Sequence, residues 1–242
     1  MTPDSTGCPL CGNLEIRNFE APANDSDIEG MSVAIRECMK CDFAWQWPLA
    51  RTTEQSKIYF ESEYQTERKS SYFDKERRVE ITKLQLNFIS ELNIRPLTLL
   101  DIGCGDGTFA KEAVGLGWKV TGIDPAISAD ANPIESFNLT LISGTTDDLG
   151  SNEKFMCITL WDVIEHIPEP ELFLHKIWER LLPNGWLIIE TGNYQSIQRV
   201  LAERQWWAWQ LDHRWYFSPP TLVKLLEPLK YSEARLAKHV FR

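Results

Sequence analysis

The chain has 242 residues and a formal net charge of −10, with 43% hydrophobic and 25% charged residues. This length suits one α/β domain with a small appended module. Nucleic-acid-binding proteins usually carry a basic face, which this composition disfavours. The sequence also lacks the run of about 18 apolar residues that crosses a bilayer and the pattern of a signal peptide. We therefore expect a cytoplasmic protein without a nucleic-acid or membrane partner.

Two cysteine pairs stand in the N-terminal region. Cys8-Pro-Leu-Cys11 and Cys38-Met-Lys-Cys41 are C-x2-C pairs separated by 26 residues. Four thiolates at this spacing favour a structural zinc ion with tetrahedral coordination. Disulfides or free thiols are the alternative, which a reducing cytosol disfavours. The first 50 residues hold eight acidic and three basic residues, so we interpret the zinc ribbon as a scaffold or a substrate-side wall.

The chain divides into three predicted segments. Residues 1–50 predict the zinc ribbon, residues 51–95 a connecting and helical segment, and residues 96–242 the main α/β domain. In the second segment, "FDKERRVEITKLQLNFISEL" predicts a helix that Pro96 ends. Its apolar residues are expected on one buried face: Val79, Leu84, Phe88, Ile89 and Leu92.

Strands and helices alternate after Pro96. The predicted strands lie near 97–102, 118–123, 138–143, 155–160 and 186–191. The predicted helices lie near 107–116, 170–182, 195–204 and 219–227. Such alternation is typical of crossover units around a parallel sheet. The predicted fold class is α/β: a Rossmann-like, doubly wound, mostly parallel sheet preceded by a small zinc ribbon.

A glycine-rich loop, "DIGCGDGTF", follows the first strand of this domain and opens a helix, where open α/β sheets bind ligands. Gly103 and Gly105 allow a tight turn and a close approach of the backbone to a ligand. The dinucleotide fingerprint G-x-G-x-x-G would need a third glycine at position 108, where Thr108 stands. The carboxylates of Asp101 and Asp106 oppose a pyrophosphate. They suit the sulfonium and ammonium groups of S-adenosylmethionine, which we infer to be the cofactor.

The ends of the following strands supply further candidate contacts. Asp124 closes the second strand, where an acid accepts hydrogen bonds from both ribose hydroxyls. Asp147 is a candidate for the adenine amino group, with Thr146 beside it. The predicted cofactor-binding residues are Asp101, Gly103, Cys104, Gly105, Asp124, Pro125, Thr146, Asp147 and Trp161.

Five segments, in order, resemble the class I S-adenosylmethionine-dependent methyltransferases: "LLDIGCGDGTF", "VTGIDP", "LWDVIEHI", "LLPNGWLIIET" and "HRWYFSP". They lie within residues 97–227. The chain further resembles a bacterial subgroup that carries an N-terminal zinc ribbon and has many members in sugar and natural-product pathways. The resemblance implies a small-molecule acceptor, above all a sugar or glycan hydroxyl or carbon, or a natural-product intermediate. Two positions depart from the family pattern. Asn184 replaces the usual glycine of Pro-Gly-Gly, which is a mild change because asparagine accepts left-handed geometry. Gly192 replaces the usual proline after the fifth strand, and we expect it to loosen that loop.

Two histidines are candidate catalytic residues. His166, in "WDVIEHI", is a candidate base that takes the proton of an acceptor hydroxyl. The alternative is that it only fixes its own loop by hydrogen bonding. His213, before "RWYFSP", is a candidate for facing the acceptor.

The stretch "RQWWAWQLDHRWYF" holds six aromatic residues. Their rings either stack on an acceptor as a lid or pack a connector in the interior, and both interpretations stay open. Tyr59, Tyr64 and Tyr72 precede the first long helix, where family members often close the cofactor site. One of them is a candidate contact for the methionine end of the cofactor.

Two other functions share the predicted fold. An RNA methyltransferase is disfavoured by the acidic composition. A non-catalytic module that binds another protein through the ribbon is disfavoured by the intact set of Asp101, Gly103, Gly105 and Asp124.

Overall fold

The computed structural model describes residues 7–22, 32–47, 75–127 and 135–231, together with residues 233 and 235. Its strands are β1 (Ile16–Pro22), β2 (Ser32–Cys38), β3 (Ala44–Gln46), β4 (Thr98–Ile102), β5 (Lys119–Asp124), β6 (Glu135–Ser136), β7 (Leu139–Ser143), β8 (Phe155–Trp161), β9 (Leu181–Glu190) and β10 (Trp215–Tyr216). Its α-helices are α1 (Lys75–Glu91), α2 (Thr108–Gly115), α3 (Pro170–Trp178), α4 (Ile197–Ala202) and α5 (Pro219–Leu226). Within these residues, no helix is both long and apolar enough to pass through a bilayer. Tyr59, Tyr64 and Tyr72 lie outside the described residues.

The chain falls into two compact units. The ribbon unit comprises Met1–Glu61, Asp162–His175 and Thr191–Ala237. The sheet unit comprises Ser62–Trp161, Lys176–Glu190 and Lys238–Arg242. The N-terminal segment with the cysteine pairs therefore shares a unit with two later stretches of the chain.

The sheet unit contains a six-stranded sheet in the order β6-β7-β5-β4-β8-β9. Five of its strands run parallel, and the short β6 pairs antiparallel with β7. The chain winds outward from β4 through β5 and β7, then returns to the other side of β4 to form β8 and β9. This reversal makes the end of β4 a topological switch point, the usual place for a ligand in such sheets. The predicted Rossmann-like α/β class is confirmed.

The central strand β4 is covered on both faces. Leu99, Leu100 and Ile102 are almost fully buried, as expected for a parallel strand between two layers of helices. Each such side chain contributes about 1.5–3 kcal/mol of burial free energy. Asp101 is buried among them and is the one buried polar residue of this strand.

The helix α1 packs one face into this core, but that face differs from the predicted one. Leu86 and Ile89 are buried, whereas Leu84 is 46% exposed. The prediction of Leu84 as a core residue was wrong because polar Thr82 and Gln85 occupy the buried stripe instead. The Gln85 side-chain amide donates to a Glu190 carboxylate oxygen at 3.3 Å, which satisfies one polar group inside this face.

The last parallel strand, β9, begins five residues before the predicted start. Phe155 pairs with Leu181 and Cys157 pairs with Trp186, so the Pro-Asn-Gly segment between them bulges out of the ladder. Asn184 has a φ of 62°, a left-handed conformation that asparagine tolerates. Because β9 starts early, the preceding helix α3 ends at residue 178 and not at the predicted 182.

The ribbon unit is built on a four-stranded antiparallel sheet in the order β1-β2-β3-β10. The strands β1 and β2 pair along their whole length, which confirms the strand predicted at "MSVAIREC". The last strand, β10, comes from much later in the chain and places Trp215 opposite Trp45. The ribbon sheet is thus completed by the aromatic stretch that the sequence left open to two interpretations.

Most of that aromatic stretch is buried in the ribbon unit. Five of its six aromatic residues have an exposed fraction of 1–2%: Trp206, Trp209, Trp215, Tyr216 and Phe217. The Trp209 ring lies 4.9 Å from that of Tyr216 and 5.0 Å from that of Trp206. Aromatic side chains in such contacts stabilise a core beyond their buried area. Their burial supports the packing interpretation over the lid for these five residues.

Candidate functional site

The glycine loop connects β4 to α2 through three glycines with positive φ. Gly103, Gly105 and Gly107 have φ angles of 73°, 55° and 76°. The Gly103 N–H donates to the Ile123 carbonyl at 2.8 Å and so fastens the loop to β5. At Gly107, an added Cβ would lie 2.7 Å from Leu141 Cδ1. Both its conformation and its packing therefore require glycine.

Asp124, at the end of β5, organises the loop from the neighbouring strand. Its Oδ2 accepts from the Gly105 N–H at 2.8 Å, and its Oδ1 accepts from the Ala126 N–H at 2.7 Å. A carboxylate oxygen accepts two hydrogen bonds, so each oxygen keeps capacity for one more donor. The structure thus brings the predicted loop residues and the predicted ribose-binding acid together at one edge of the sheet.

Asp101 is a buried carboxyl at the foot of the loop, with an exposed fraction of 1%. Its Oδ1 accepts from the Thr159 hydroxyl at 2.9 Å. Burial, with repulsion from Asp124, raises the pKa of Asp101 to about 7, against the opposing effects of Thr159 and Arg78. A desolvated carboxyl of this kind is suited to binding a cationic ligand group, and such perturbed groups concentrate at functional sites.

Arg78 of α1, which was not predicted from the sequence, lies beside the same loop. A Cβ added at Gly105 would lie 3.0 Å from Arg78 Nη2, and Arg78 Nε lies 3.7 Å from Asp106 Oδ1. The pKa of Asp106 is lowered, against its burial, by hydrogen bonds from Thr108 and by Arg78. The available signal was the Arg-Arg pair in "KERRVE", but the sequence does not indicate which helix face meets the loop.

The remaining predicted contacts lie after β7 and at the end of β8. Thr146 begins a short 3-10 turn, Thr146–Asp148, and Asp147 in that turn accepts from Lys176 Nζ at 3.0 Å. Trp161 ends β8, and its ring centroid lies 5.4 Å from the ring centroid of Phe109 on α2. Among the described residues, no acceptor pairs with its buried indole N–H. A buried donor of this kind needs a partner, which a bound ligand would supply.

Cys104 and Pro125 were also predicted as cofactor contacts. Cys104 is buried, and its Sγ would lie 2.9 Å from a Cβ added at Gly122. Burial raises the pKa of this thiol far above its ordinary range, so the side chain serves packing and is unreactive. Pro125 is exposed in the turn after β5.

The four N-terminal cysteines converge within the ribbon unit. The Sγ atoms of Cys8 and Cys41 are 3.7 Å apart, and those of Cys11 and Cys38 are 3.5 Å apart. All four lie within 4.8 Å of one another, and all are free thiols. Thiolates around one tetrahedral zinc ion are about 3.8 Å apart. The donor set and its spacing therefore fit a four-coordinate zinc ion.

The two cysteine turns share one backbone design. The Gly12 N–H donates to the Cys8 carbonyl at 2.8 Å, and the Asp42 N–H donates to the Cys38 carbonyl at 3.0 Å. Gly12 and Asp42 both have left-handed backbones, with φ of 73° and 57°. This conformation, which glycine and aspartate tolerate best, closes each turn so that both cysteines of a pair point the same way.

His166 and His213 meet in the ribbon unit. Their ring centroids are 4.8 Å apart, with the planes at 79°. His166 Nδ1 lies 3.3 Å from Asp212 Oδ2 and 3.2 Å from the Asp212 carbonyl. Burial lowers the pKa of His166, but Asp212 and Glu165 outweigh it, so the net pKa is raised. The structure thus places the two predicted catalytic histidines in contact with each other and His166 in contact with Asp212, an acid that was not predicted from the sequence.

Glu165, the neighbour of His166, is a second acid in this cluster. Its exposed fraction is 1%. Burial and the nearby Asp162 raise the pKa of its carboxyl to about 7, with His166 and the Thr191 side chain opposing them. In the described part of the chain, neither carboxylate oxygen has a hydrogen-bond partner of normal geometry.

The switch-point sheet, the glycine loop and the strand-end acids define the class I S-adenosylmethionine-dependent methyltransferases. The family model described as "Methyltransferase domain" matches residues 73–229, well over half of the chain. The chain belongs to this family.

Known proteins agree with this assignment. A ubiquinone biosynthesis O-methyltransferase from Azorhizobium caulinodans is 27% identical over 161 residues, which cover 61% of this chain and 64% of that protein. One from Hydrogenovibrio crunogenus is 30% identical over 130 residues, covering 50% and 54%. The chain thus spans about half to two thirds of these relatives.

Solved structures share the fold at low identity. The plantazolicin methyltransferase BpumL, in complex with a monoazolic desmethylPZN analog and SAH, is 19% identical, with a TM-score of 0.57 and coverage of 75% of this chain and 74% of that one. Magnesium protoporphyrin IX methyltransferase (ChlM) from Synechocystis PCC 6803, with bound SAH, is 16% identical, with a TM-score of 0.56 and coverage of 76% and 91%.

Proposed function

We propose that this chain binds S-adenosylmethionine in the sheet unit and transfers its methyl group to an oxygen of a small-molecule acceptor. The observation that carries the proposal is that the buried Asp101 carboxyl and the Arg78 guanidinium both lie at the glycine loop, close enough for Arg78 to favour the charged form of Asp101. A ligand with an amino-acid end presents an ammonium and a carboxylate, which these two groups complement. A pyrophosphate would instead meet the carboxylates of Asp101 and Asp106.

The other parts of the cofactor are assigned to residues around the glycine loop. Asp124 receives the ribose hydroxyls on its remaining lone pairs, and the glycines allow the nucleoside to approach the backbone. Thr146 and Asp147 are assigned to the adenine end, and the orphan indole N–H of Trp161 to a ligand acceptor. When bound, the cofactor supplies a methyl group that its sulfonium already activates. The chain therefore has to align the acceptor and take up its proton.

His166 is proposed as the base that takes this proton, with Asp212 holding its Nδ1 side. An imidazole oriented by a carboxylate in this way is a common general base. His213, in edge contact with the His166 ring, is assigned to the acceptor side. Both roles rest on the arrangement within the ribbon unit.

The acceptor class rests on two lines of support. The relatives named as ubiquinone biosynthesis O-methyltransferases favour an oxygen acceptor. The resemblance to ribbon-bearing methyltransferases favours a sugar or glycan hydroxyl or a natural-product intermediate. The net charge of −10 favours a small molecule over RNA.

Zinc is proposed as the structural ion of the ribbon. The four thiolates leave no position for a substrate, so the ion stabilises the fold and takes no part in the chemistry. Four thiolates that bind zinc need a reducing compartment, so a cytoplasmic location is part of the proposal.

The test is methyl transfer to a panel of phenols, sugar nucleotides and hydroxylated natural products, read by product mass. We expect one acceptor class to gain a methyl group on oxygen. His166→Gln should lower kcat by about 10²–10⁴-fold while its affinity for S-adenosylhomocysteine stays unchanged. The matched control is His175→Gln, an exposed histidine on α3, which should keep full activity. Transfer to RNA, or full activity of the His166 variant, would refute the corresponding assignment.

A further inference from the structure

We propose that Glu165, His166 and His213 form a second metal site, distinct from the cysteine ribbon, that takes a divalent first-row transition-metal ion. One ligand atom from each of the three residues lies within 4.8 Å of those of the other two. All three residues belong to the ribbon unit. Two imidazoles and one carboxylate are a recurrent three-ligand set for such ions, and they leave coordination positions open.

Glu165 supplies an independent reason to place a cation here. Its exposed fraction is 1%. No described residue makes a hydrogen bond of normal geometry to either carboxylate oxygen. The Thr191 side chain and His166 favour the charged form of Glu165, but no described lysine or arginine pairs with it. Asp162 lies close enough to repel its charge. A buried carboxylate is strongly disfavoured unless it is paired or binds a metal ion, and a divalent cation would satisfy it.

Asp212 is already in place to form the second coordination sphere of this cluster. Asp212 places a carboxylate oxygen 3.3 Å and its carbonyl 3.2 Å from His166 Nδ1. A histidine that ligates a metal through one ring nitrogen almost always donates the other N–H to a carboxylate or a carbonyl. Asp212 therefore holds the Nδ1 side of the His166 ring and orients the ring within the cluster. The His213 ring sits edge-on to the His166 ring, with the ring centroids 4.8 Å apart.

The ligand types of the Glu165, His166 and His213 site differ from those of the four-cysteine site. Four thiolates bind a soft or borderline ion and close its coordination shell. Two nitrogens and one oxygen suit manganese, iron, cobalt or zinc. An ion held there would occupy the His166 nitrogen that the base role needs, so the two roles of His166 exclude each other while the ion is bound. The ion would then lower the pKa of a hydroxyl group that ligates it, and that group would release its proton to water. This use of the ion rests on the proposed function, but the binding of the ion does not.

The test is a titration of the zinc-loaded chain with Mn2+, followed by the electron paramagnetic resonance signal of the free ion. Manganese prefers oxygen and nitrogen ligands and leaves the thiolate zinc in place. We expect one Mn2+ per chain. Glu165→Gln and His213→Gln should each weaken its affinity by at least about tenfold. The matched control His175→Gln, which changes an exposed histidine on α3, should bind Mn2+ like the unaltered chain.

A second measurement needs no variant. In nitrogen-15 spectra of the histidine rings, substoichiometric Mn2+ should broaden the His166 and His213 signals and leave that of His175 sharp. Absence of Mn2+ binding, or broadening that spares His166 and His213, would overturn the proposal. Binding of S-adenosylhomocysteine, measured on the same samples by calorimetry, separates the two ideas. If it persists without Mn2+ binding, only the metal site fails; if Mn2+ binds and S-adenosylhomocysteine does not, the proposed function fails.

Discussion

The backbone N–H of Arg214 donates to the carbonyl of Glu165 at 2.9 Å. This bond holds together two stretches of the ribbon unit that are far apart in the sequence. It sets His213, which precedes Arg214, beside His166, which follows Glu165. The meeting of the two histidines is therefore a product of tertiary structure and not of local sequence.

Affinity for S-adenosylhomocysteine should depend on pH through Asp101. Its pKa of about 7 in the folded chain means that the carboxyl is largely protonated below that pH. An ammonium group binds the ionised form, so the affinity should fall by up to about tenfold per pH unit below 7 and level off above it. Calorimetry between about pH 5.5 and 8 checks this. In Asp101→Asn the affinity should be weak and nearly independent of pH, whereas the exposed Glu112→Gln should keep the original profile.

Arg78 should recognise the amino-acid end of the cofactor. Arg78→Met should weaken S-adenosylhomocysteine binding by about tenfold or more, because one charge-assisted contact contributes about 1.5–3 kcal/mol. Binding of 5′-methylthioadenosine, which lacks the amino-acid end, should stay unchanged. Arg77→Met changes the exposed neighbour on the same helix and is the matched control. Equal losses for both ligands in the Arg78 variant would place this residue elsewhere in the site.

Asp124 should act on the opposite end of the same ligand. Asp124→Asn should weaken S-adenosylhomocysteine and 5′-methylthioadenosine alike, because both carry the ribose. The substitution also alters the acceptor of the Gly105 and Ala126 N–H groups. The melting temperature of the variant protein therefore has to be measured together with its affinity for the ligands. A variant that melts normally and still binds both ligands at full affinity would contradict the ribose assignment.

The ribbon cysteines should hold one zinc ion per chain. Cys38→Ser should abolish stoichiometric zinc and lower the melting temperature, since metal binding in small ribbons contributes on the order of 10 kcal/mol to folding. Cys157→Ala is the matched control, because it removes a fully buried thiol from β8. It should lower stability by packing loss while zinc, measured by mass spectrometry, stays at one per chain. Full zinc content in the Cys38 variant would refute the four-thiolate site.

The glycine loop should tolerate no side chain at position 107. Gly107→Ala places a Cβ against Leu141 in a left-handed backbone, which should cost about 1–3 kcal/mol in the free energy of unfolding. Gly115→Ala, at the end of the same helix, meets nothing within 4 Å and should be neutral or slightly stabilising. Urea denaturation measures both, and similar values for the two variants would contradict the packing described for the loop.

The sequence predicted those parts of the site that lie on consecutive strands. Asp101, Gly105 and Asp124 could be placed together because parallel strands end at a common edge. Arg78 could not be predicted because its contact with the loop depends on which face of α1 packs against the sheet. The sequence did not indicate that face correctly, since Thr82 and Gln85 are buried and Leu84 is exposed.

Contacts between residues that are far apart in the sequence could also not be predicted from local sequence patterns. Asp212 reaches His166 only through the fold of the ribbon unit. The pairing of β10 with β3 likewise links residues more than half a chain apart, so periodicity could not reveal it.

The central claim is that the loop between β4 and α2 binds a cationic nucleoside with an amino-acid end. Calorimetric titration of the zinc-loaded chain with S-adenosylhomocysteine, and separately with NAD, tests it most directly. We predict one S-adenosylhomocysteine per chain, weakened in Arg78→Met but not in Arg77→Met, and no heat from NAD. Binding of NAD, or no binding of S-adenosylhomocysteine to the folded chain, would contradict the claim.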